Sequence, residues 1–403
     1  MLCIRNFRKL AFLSRRTTLF LLILLFITAL SFIIWSIKWT PNLKYVESFL
    51  EKQIIIIPPS SQDQQTISKT PNRDLFILIV SSPENRKSRD AIRQTYASNL
   101  HGQFKFLIGT KYCHIPDHQR HVVNDGGFTR NIDKICKNCN CRYKKNIPYL
   151  DRKVEINDEM EQILKEVKDE QEEFEDIYLL DLVETYQNLT LKMKLGFVSL
   201  TEDVEKNKIT RPKWVLKVDD DAVVIPRKLT SFLQSKSNRE ERSENSYIYA
   251  GHMDSDKKVL KESPLTNRWG ELQYPGIPHV SINRESIEYY YPTYALGATG
   301  YVLEYDLVNY ISKYNRNLTN YIAEDAAIGI WIDNGIKDNL IDKKINYVSS
   351  DKSFSLNGIK HMTKWLCRKL GTKYSEVGVF GHRMDADDIK YCWNKYIQNF
   401  ARY

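Results

Sequence analysis

Four strand-like apolar runs constrain the fold most: LFILIV at 75–80, FKFLIG at 104–109, DIYLLDL at 176–182 and KWVLKV at 213–218. Between them lie stretches of helical pattern, RKSRDAIRQTYA at 86–97 and residues 185–203 with Leu189, Met193 and Leu200. Strands of this kind alternating with helices predict an α/β fold, a mostly parallel central sheet flanked by helices. In such sheets ligands bind beyond the carboxyl ends of the strands. Residues 155–176 hold eleven acids, yet Ile156, Met160, Ile163, Leu164 and Val167 recur at helical spacing, which reads as a solvated helix with a thin apolar stripe. No internal repeat is visible.

The N-terminal segment obeys another pattern. Residues 17–37 carry no charge and would extend about 31 Å as a helix at roughly 1.5 Å per residue. Arg5, Arg8, Lys9, Arg15 and Arg16 precede them, and no acid appears before Glu47. The positive-inside rule therefore predicts a cytoplasmic tail at 1–16, a transmembrane signal anchor at 17–37 and a luminal remainder. A cleaved signal peptide is the rival, but the apolar run is long for one and ends IIWSIKW without a small-residue cleavage site. Bulky Phe and Leu in a short span suit a thin internal membrane, so a single-pass type II protein of the Golgi membrane is expected. Residues 38–72, with Pro58-Pro59-Ser60-Ser61 and a QDQQ run, read as a luminal stem.

Lysine and arginine total 59 against 50 acids, a net charge of +9. Five of those charges precede the anchor and no dense basic run follows it, so nucleic acid is not an expected partner. A composition 42% hydrophobic and 27% charged excludes a disordered or collagen-like chain. Cys113, Cys136, Cys139, Cys141, Cys367 and Cys392 lie beyond the anchor, where an oxidising lumen would pair them in a connectivity the sequence leaves open. Cys136-x-x-Cys139-x-Cys141 could also bind zinc, although a second spaced ligand pair is missing. It sits in a basic, irregular insertion at 111–150. Asn188-Leu189-Thr190 and Asn317-Leu318-Thr319 are glycosylation sequons.

Asp219-Asp220-Asp221 follows KWVLKV directly. Adjacent carboxylates repel, so a strand ending this way suits a hard-cation site whose metal also binds phosphates. The alternative is a solvated turn capping the helix that begins near Pro226. Thr230 in the place of a bidentate Glu excludes an EF-hand, and Ala222-Val223 departs from the Gly-Thr of a haloacid-dehalogenase phosphatase.

From about residue 75 onward the chain resembles the beta-1,3-galactosyltransferase/N-acetylglucosaminyltransferase superfamily, glycosyltransferase family 31. The resemblance rests on Arg89-Asp90-Ala91-Ile92-Arg93-Gln94-Thr95-Tyr96, on Asp181 to Lys192, on Lys217-Val218-Asp219-Asp220-Asp221, on YPTYALGATGYVL at 291–303, on Glu324-Asp325-Ala326-Ala327-Ile328-Gly329, and on Gly381-His382-Arg383 with Trp393. Within the family, YALGATGYVLEYDLV and AEDAAIGIW are most similar to the galactosyltransferase that adds the second galactose of the proteoglycan linkage region. Tyr96 in place of the family Trp, the small pair Ala326-Ala327 and the extra residue in GATGY are departures.

The resemblance implies a GT-A fold over a catalytic domain at 73–403, and an inverting, metal-dependent transfer of galactose from UDP-galactose to the 3-hydroxyl of a glycan. N-acetylglucosamine or N-acetylgalactosamine is the alternative sugar, and an inactive glycan-binding protein of the same fold is the alternative class. It implies Mn²⁺ held by Asp221 and His382, with Asp219 and Asp220 on the ribose or donor sugar. Ser81 and Ser82 would meet the uridine, and Arg89 and Arg93, one helical turn apart, the diphosphate. Asp325 is the expected base, with Glu324 holding it or the acceptor in place. Trp269, Tyr291 and Tyr294 would stack on the acceptor, a glycan on glycoprotein, proteoglycan or glycolipid. Gly297 and Gly300 would let backbone approach that acceptor closely.

Overall fold

The run at 75–80 forms β1 (Leu75–Val80), a strand buried on both faces. Leu75, Ile77 and Ile79 enter one hydrophobic core while Phe76 and Leu78 enter another on the opposite face. Burial on both sides explains why this strand shows no polar alternation. The computed structural model describes residues 74–100, 102–112, 120–122, 141–143, 153–237, 246–262, 270–280, 287–350, 353–355, 367–368 and 377–400. All belong to a compact unit spanning 68–403. The expected anchor at 17–37, the stem, Trp269 and most of the 111–150 insertion lie outside the described residues. Among the described residues no helix is long and apolar enough to cross a membrane.

After β1 come α1 (Arg86–Arg93) and β2 (Phe104–Tyr112), then two short strands, β3 (Arg120–Val122) and β4 (Cys141–Tyr143), paired antiparallel within the insertion. The acidic segment forms α2 (Lys153–Phe174), followed by β5 (Ile177–Glu184), α3 (Leu189–Glu205) and β6 (Trp214–Asp219). The triplet turns into β7 (Val223–Val224) and α4 (Pro226–Ser237). Next are β8 (Ser246–Gly251), β9 (Met253–Asp254), a hairpin of β10 (Ile277–Val280) and β11 (Ile287–Tyr290), and β12 (Tyr294–Ala295). The chain continues through β13 (Tyr301–Glu304), α5 (Tyr305–Lys313), α6 (Glu324–Lys337) and β14 (Lys344–Ser349). It closes with β15 (Phe354–Ser355), β16 (Val379–Phe380) and α7 (Ala386–Phe400).

Seven strands form the central sheet in the order β14-β8-β13-β6-β1-β2-β5. All neighbours are parallel except β13, which runs antiparallel to both β6 and β8. Side chains of α1, α4 and α7 (Ile92, Leu229, Ile389) fill the core on one face. Those of α3, α5 and α6 (Phe197, Val308, Trp331) fill the other. This is the α/β sandwich expected from the alternating pattern, consistent with a GT-A-like fold. The expected helix at 86–97 ends at Arg93 and continues as turns, and the helix expected at 185–203 opens with a 3-10 turn at Tyr186–Asn188. The inserted antiparallel β13 puts Gly297 and Gly300, which precede it, beside the carboxyl end of β6.

Candidate active site

Asp219 ends β6, and the chain must turn at Asp220 and Asp221 before β7 begins. β7 pairs antiparallel with β16, Val223 opposite Phe380, and this ladder carries the distant Gly381-His382-Arg383 segment to the acidic turn. Arg383 donates its backbone N–H to Asp221 Oδ2 at 2.8 Å, and Met384 donates to the Asp221 carbonyl at 3.1 Å. His382 Nδ1 lies 3.3 Å from Asp221 Oδ2. Asp219, Asp221 and His382 are half-buried and bring ligand atoms within 4.8 Å of one another. Burial pushes Asp221 up, but His382, the Arg383 N–H and Lys217 outweigh it and hold the carboxyl below its ordinary range. The adjacent Asp221 carboxylate raises His382. Asp221 Oδ1 is buried without a hydrogen-bond partner. An unpartnered carboxylate oxygen beside a second acid and an imidazole suits a divalent cation.

Asp220 behaves otherwise. Its Oδ2 accepts from Ser81 Oγ at 2.6 Å and Asn85 Nδ2 at 3.0 Å, and burial raises its pKa to about 6. It therefore points into the protein, where a ribose contact was expected, and its neighbour Asp219 lies with Asp221 and His382 in the candidate cation site instead. Ser81 is buried, its hydroxyl on Asp220 and its carbonyl on the Lys192 ammonium at 2.8 Å. Ser82, half-buried at the start of the first turn, is the better placed of the two serines.

The expectation for Arg89 and Arg93 needs correction. Arg89 is fully buried, with Glu170 of α2 accepting at 2.8 and 2.7 Å and Ser81 Oγ at 3.1 Å. Arg93 pairs with Asp176, Asp90 and Glu170, and its guanidinium covers the Phe174 ring. Two guanidiniums so engaged fasten α1 to α2 and leave no free face for a diphosphate. Glu170, read from sequence as part of a solvated face, is 1% exposed for this reason.

Glu324 and Asp325 open α6, whose N-cap is Ala323. Glu324 is buried; Tyr301 donates its hydroxyl to Oε1 at 2.5 Å and Lys217 Nζ stands 3.4 Å from Oε2. Asp325 is only half-buried and accepts backbone N–H groups from Gly297 at 2.9 Å and Ala326 at 2.8 Å. Burial raises Glu324 to about 7 despite Lys217, and burial raises Asp325 against the pull of those amides. Tyr291 and Tyr294 lie within the field of Asp325. They pack edge to face with each other, and Tyr291 stacks on Tyr274 at 5.7 Å. Both rings are largely buried, so they form a tyrosine wall rather than open platforms.

The glycines serve the protein's own chain more than an acceptor. A Cβ on Gly297 would sit 2.9 Å from Glu324 Oε2, and Gly300, at φ +73°, would place one 2.7 Å from the Lys217 carbonyl. Both let the turn before β13 press against β6 and α6. The residue with no assigned role in the sequence reading is Lys217: buried, 2.9 Å from Asp219 Oδ1, and donating to the Gly297 carbonyl at 3.2 Å. Its signal was a lysine inside an otherwise apolar strand. Asn317 is exposed, whereas Asn188 is half-buried with its amide donating to the Val183 carbonyl at 2.9 Å.

The family model described as Galactosyltransferase matches residues 155–339, which include Asp219 to Asp221, Gly297, Glu324 and Asp325. The UDP-GalNAc:beta-1,3-N-acetylgalactosaminyltransferase 2 of Xenopus laevis is 27% identical over 166 residues, 41% of this chain and 28% of that protein. Its human counterpart is 26% identical over 51% of this chain and 35% of its own length. The mouse beta-1,3-galactosyltransferase 6 is 30% identical over 40% of this chain and 42% of its own length. The chain thus spans less than half the length of these curated relatives. Residues 155–339 are therefore similar to the galactosyltransferase family model, and the chain is similar to segments of these beta-1,3-N-acetylgalactosaminyl- and beta-1,3-galactosyltransferases.

Proposed function

We propose that the chain is an inverting, metal-dependent beta-1,3-hexosyltransferase that moves a sugar from a UDP-sugar to a glycan hydroxyl. The observation that carries this reading is the juxtaposition of two acidic clusters, Asp219/Asp221/His382 and Glu324/Asp325, joined through Lys217. Asp219, Asp221 and His382 would hold Mn²⁺, which supplies positive charge to the departing diphosphate. Asp325 is the base: it is the more exposed of the acid pair, and its two amide donors aim it without using all its acceptor capacity. Glu324, held by Tyr301 and Lys217, positions it. Tyr291 and Tyr294 form the wall beside which the acceptor lies, and Ser82 lies on the donor side.

Galactose is the proposed donor sugar. N-acetylgalactosamine is the second reading, favoured by the similarity to the Xenopus and human N-acetylgalactosaminyltransferases. The uncharged run at 17–37 and the Cys367–Cys392 disulfide support a luminal enzyme anchored in the Golgi membrane. A panel of UDP-galactose, UDP-N-acetylgalactosamine and UDP-N-acetylglucosamine, offered with linkage-region, mucin-type and lactosamine-type acceptors, tests the proposal. Transfer from UDP-galactose, abolished by EDTA and restored by Mn²⁺, is expected. Full activity in EDTA would remove the cation from the reading, and no transfer from any donor would overturn it.

A further inference from the structure

Lys217 lies on β6 two residues beyond Val215, hence on the sheet face covered by α6. Its ammonium is 1% exposed and reaches three groups from different parts of the chain: Asp219 Oδ1 at 2.9 Å, Glu324 Oε2 at 3.4 Å and the Gly297 carbonyl at 3.2 Å. A buried ammonium is costly unless it is paired in good geometry. An apolar side chain would fill the same space without that cost. Here the two carboxylates belong to separate clusters that otherwise repel, one at the donor end of the site and one at the acceptor end. Glu324 is clamped further by the Tyr301 hydroxyl, and Tyr301 is the β13 partner of Lys217 in the ladder. The backbone closes the same junction, because Gly300 packs on the Lys217 carbonyl.

We propose that Lys217 is a positioning residue that couples the two ends of the active site. Shared between Asp219 and Glu324, its ammonium fixes the separation between the cation-holding cluster and Asp325, and it shifts toward one carboxylate when the other is neutralised. Release from Glu324 draws Lys217 onto Asp219, where it competes with the cation. The acceptor end therefore influences donor affinity through one side chain. This inference rests on the transferase reading above, but its closing measurement does not need turnover.

The experiment is a double-mutant cycle read by calorimetry of UDP with Mn²⁺. Glu324→Gln is expected to weaken UDP–Mn²⁺ binding roughly 5- to 10-fold, the scale of coupling within one charge network, although residue 324 is not among the proposed ligands. In a Lys217→Met background the same change should have less than a twofold effect. Equal effects of Glu324→Gln in both backgrounds, or none in either, would overturn the proposal. Turnover gives a second readout in the Lys217→Met/Glu324→Gln chain, which removes the ammonium and one of its carboxylates together. Its melting temperature should return toward wild type while turnover stays about 100-fold below that of Glu324→Gln alone, as expected for a misplaced reacting group. Activity equal to Glu324→Gln alone would show that Lys217 only fills space. A wild-type chain that transfers no sugar would sink the transferase reading, while the binding cycle would still judge the brace.

Discussion

At the residue scale, two adjacent acids do different work because their surroundings differ. Glu324 spends its oxygens on Tyr301 and Lys217, whereas Asp325 keeps exposed acceptor capacity. Asp325→Asn preserves size and removes basicity. Turnover should fall about 10²- to 10⁴-fold with UDP affinity nearly unchanged, measured by initial rates and calorimetry. Near-wild-type turnover in the folded variant would reduce Asp325 to a helix-terminal acceptor. The pH dependence follows from the same burial. A base whose pKa is raised is still protonated at the ordinary carboxylate value, so turnover should climb with pH through an apparent pKa above that value. Stability moves the opposite way. With Glu324 raised to about 7, the folded chain binds the extra proton between roughly pH 4.3 and that value, so its contribution falls as pH rises through the window. Melting temperature and rate against pH, measured on one preparation, check both signs.

At the scale of elements, the site is a junction of three segments, the end of β6, the turn before β13 and the start of α6. The turn can reach the other two only because Gly297 and Gly300 carry no side chain. Gly300→Ala meets a backbone oxygen as well as a left-handed φ, so it should cost at least about 1–2 kcal/mol in denaturant unfolding. It should lower turnover as well, because the displaced turn carries the Gly297 N–H that orients Asp325. Unchanged stability would mean that the turn relaxes freely. Arg89 and Arg93 illustrate a helix-level effect: an i,i+4 pair of cations invites an anionic ligand until α2 supplies Glu170 from elsewhere in the chain.

At the scale of the whole molecule, the C-terminal segment completes the candidate cation site by bringing His382 to Asp219 and Asp221. Cys367 and Cys392, both buried, form a disulfide that closes the 25-residue stretch carrying β16 and His382. Replacing both by serine should cost about 2–4 kcal/mol and weaken Mn²⁺ binding together with it, read by melting and by metal titration in one sample. Metal affinity unchanged in the serine variant would show that the β7–β16 ladder alone holds His382. A luminal fold also predicts a glycan on exposed Asn317, so Asn317→Gln should abolish a glycosidase-sensitive mobility shift that Asn188→Gln leaves largely in place.

Much of this was legible in the amino-acid order alone. A strand buried on both faces, as β1 is, announces itself as an unbroken apolar run, and all four apolar-rich runs became strands of the central sheet. The acidic triplet at the end of KWVLKV and the acid pair before AAIGIWI were equally visible, since a charge abutting buried apolar sequence is locally anomalous. What each side chain meets was not legible, because partners come from distant segments. Asp220 and Asp221 are neighbours with the same chemistry, yet a tight turn sends one to Ser81 and the other to His382. Arg89 found Glu170 across 81 residues, and Lys217 found Glu324 at the start of the helix that covers its face of the sheet. The order of residues determined which groups were present and where the chain turns. The tertiary structure decided which charges neutralise one another, because burial makes each charge seek whichever partner the fold brings within reach.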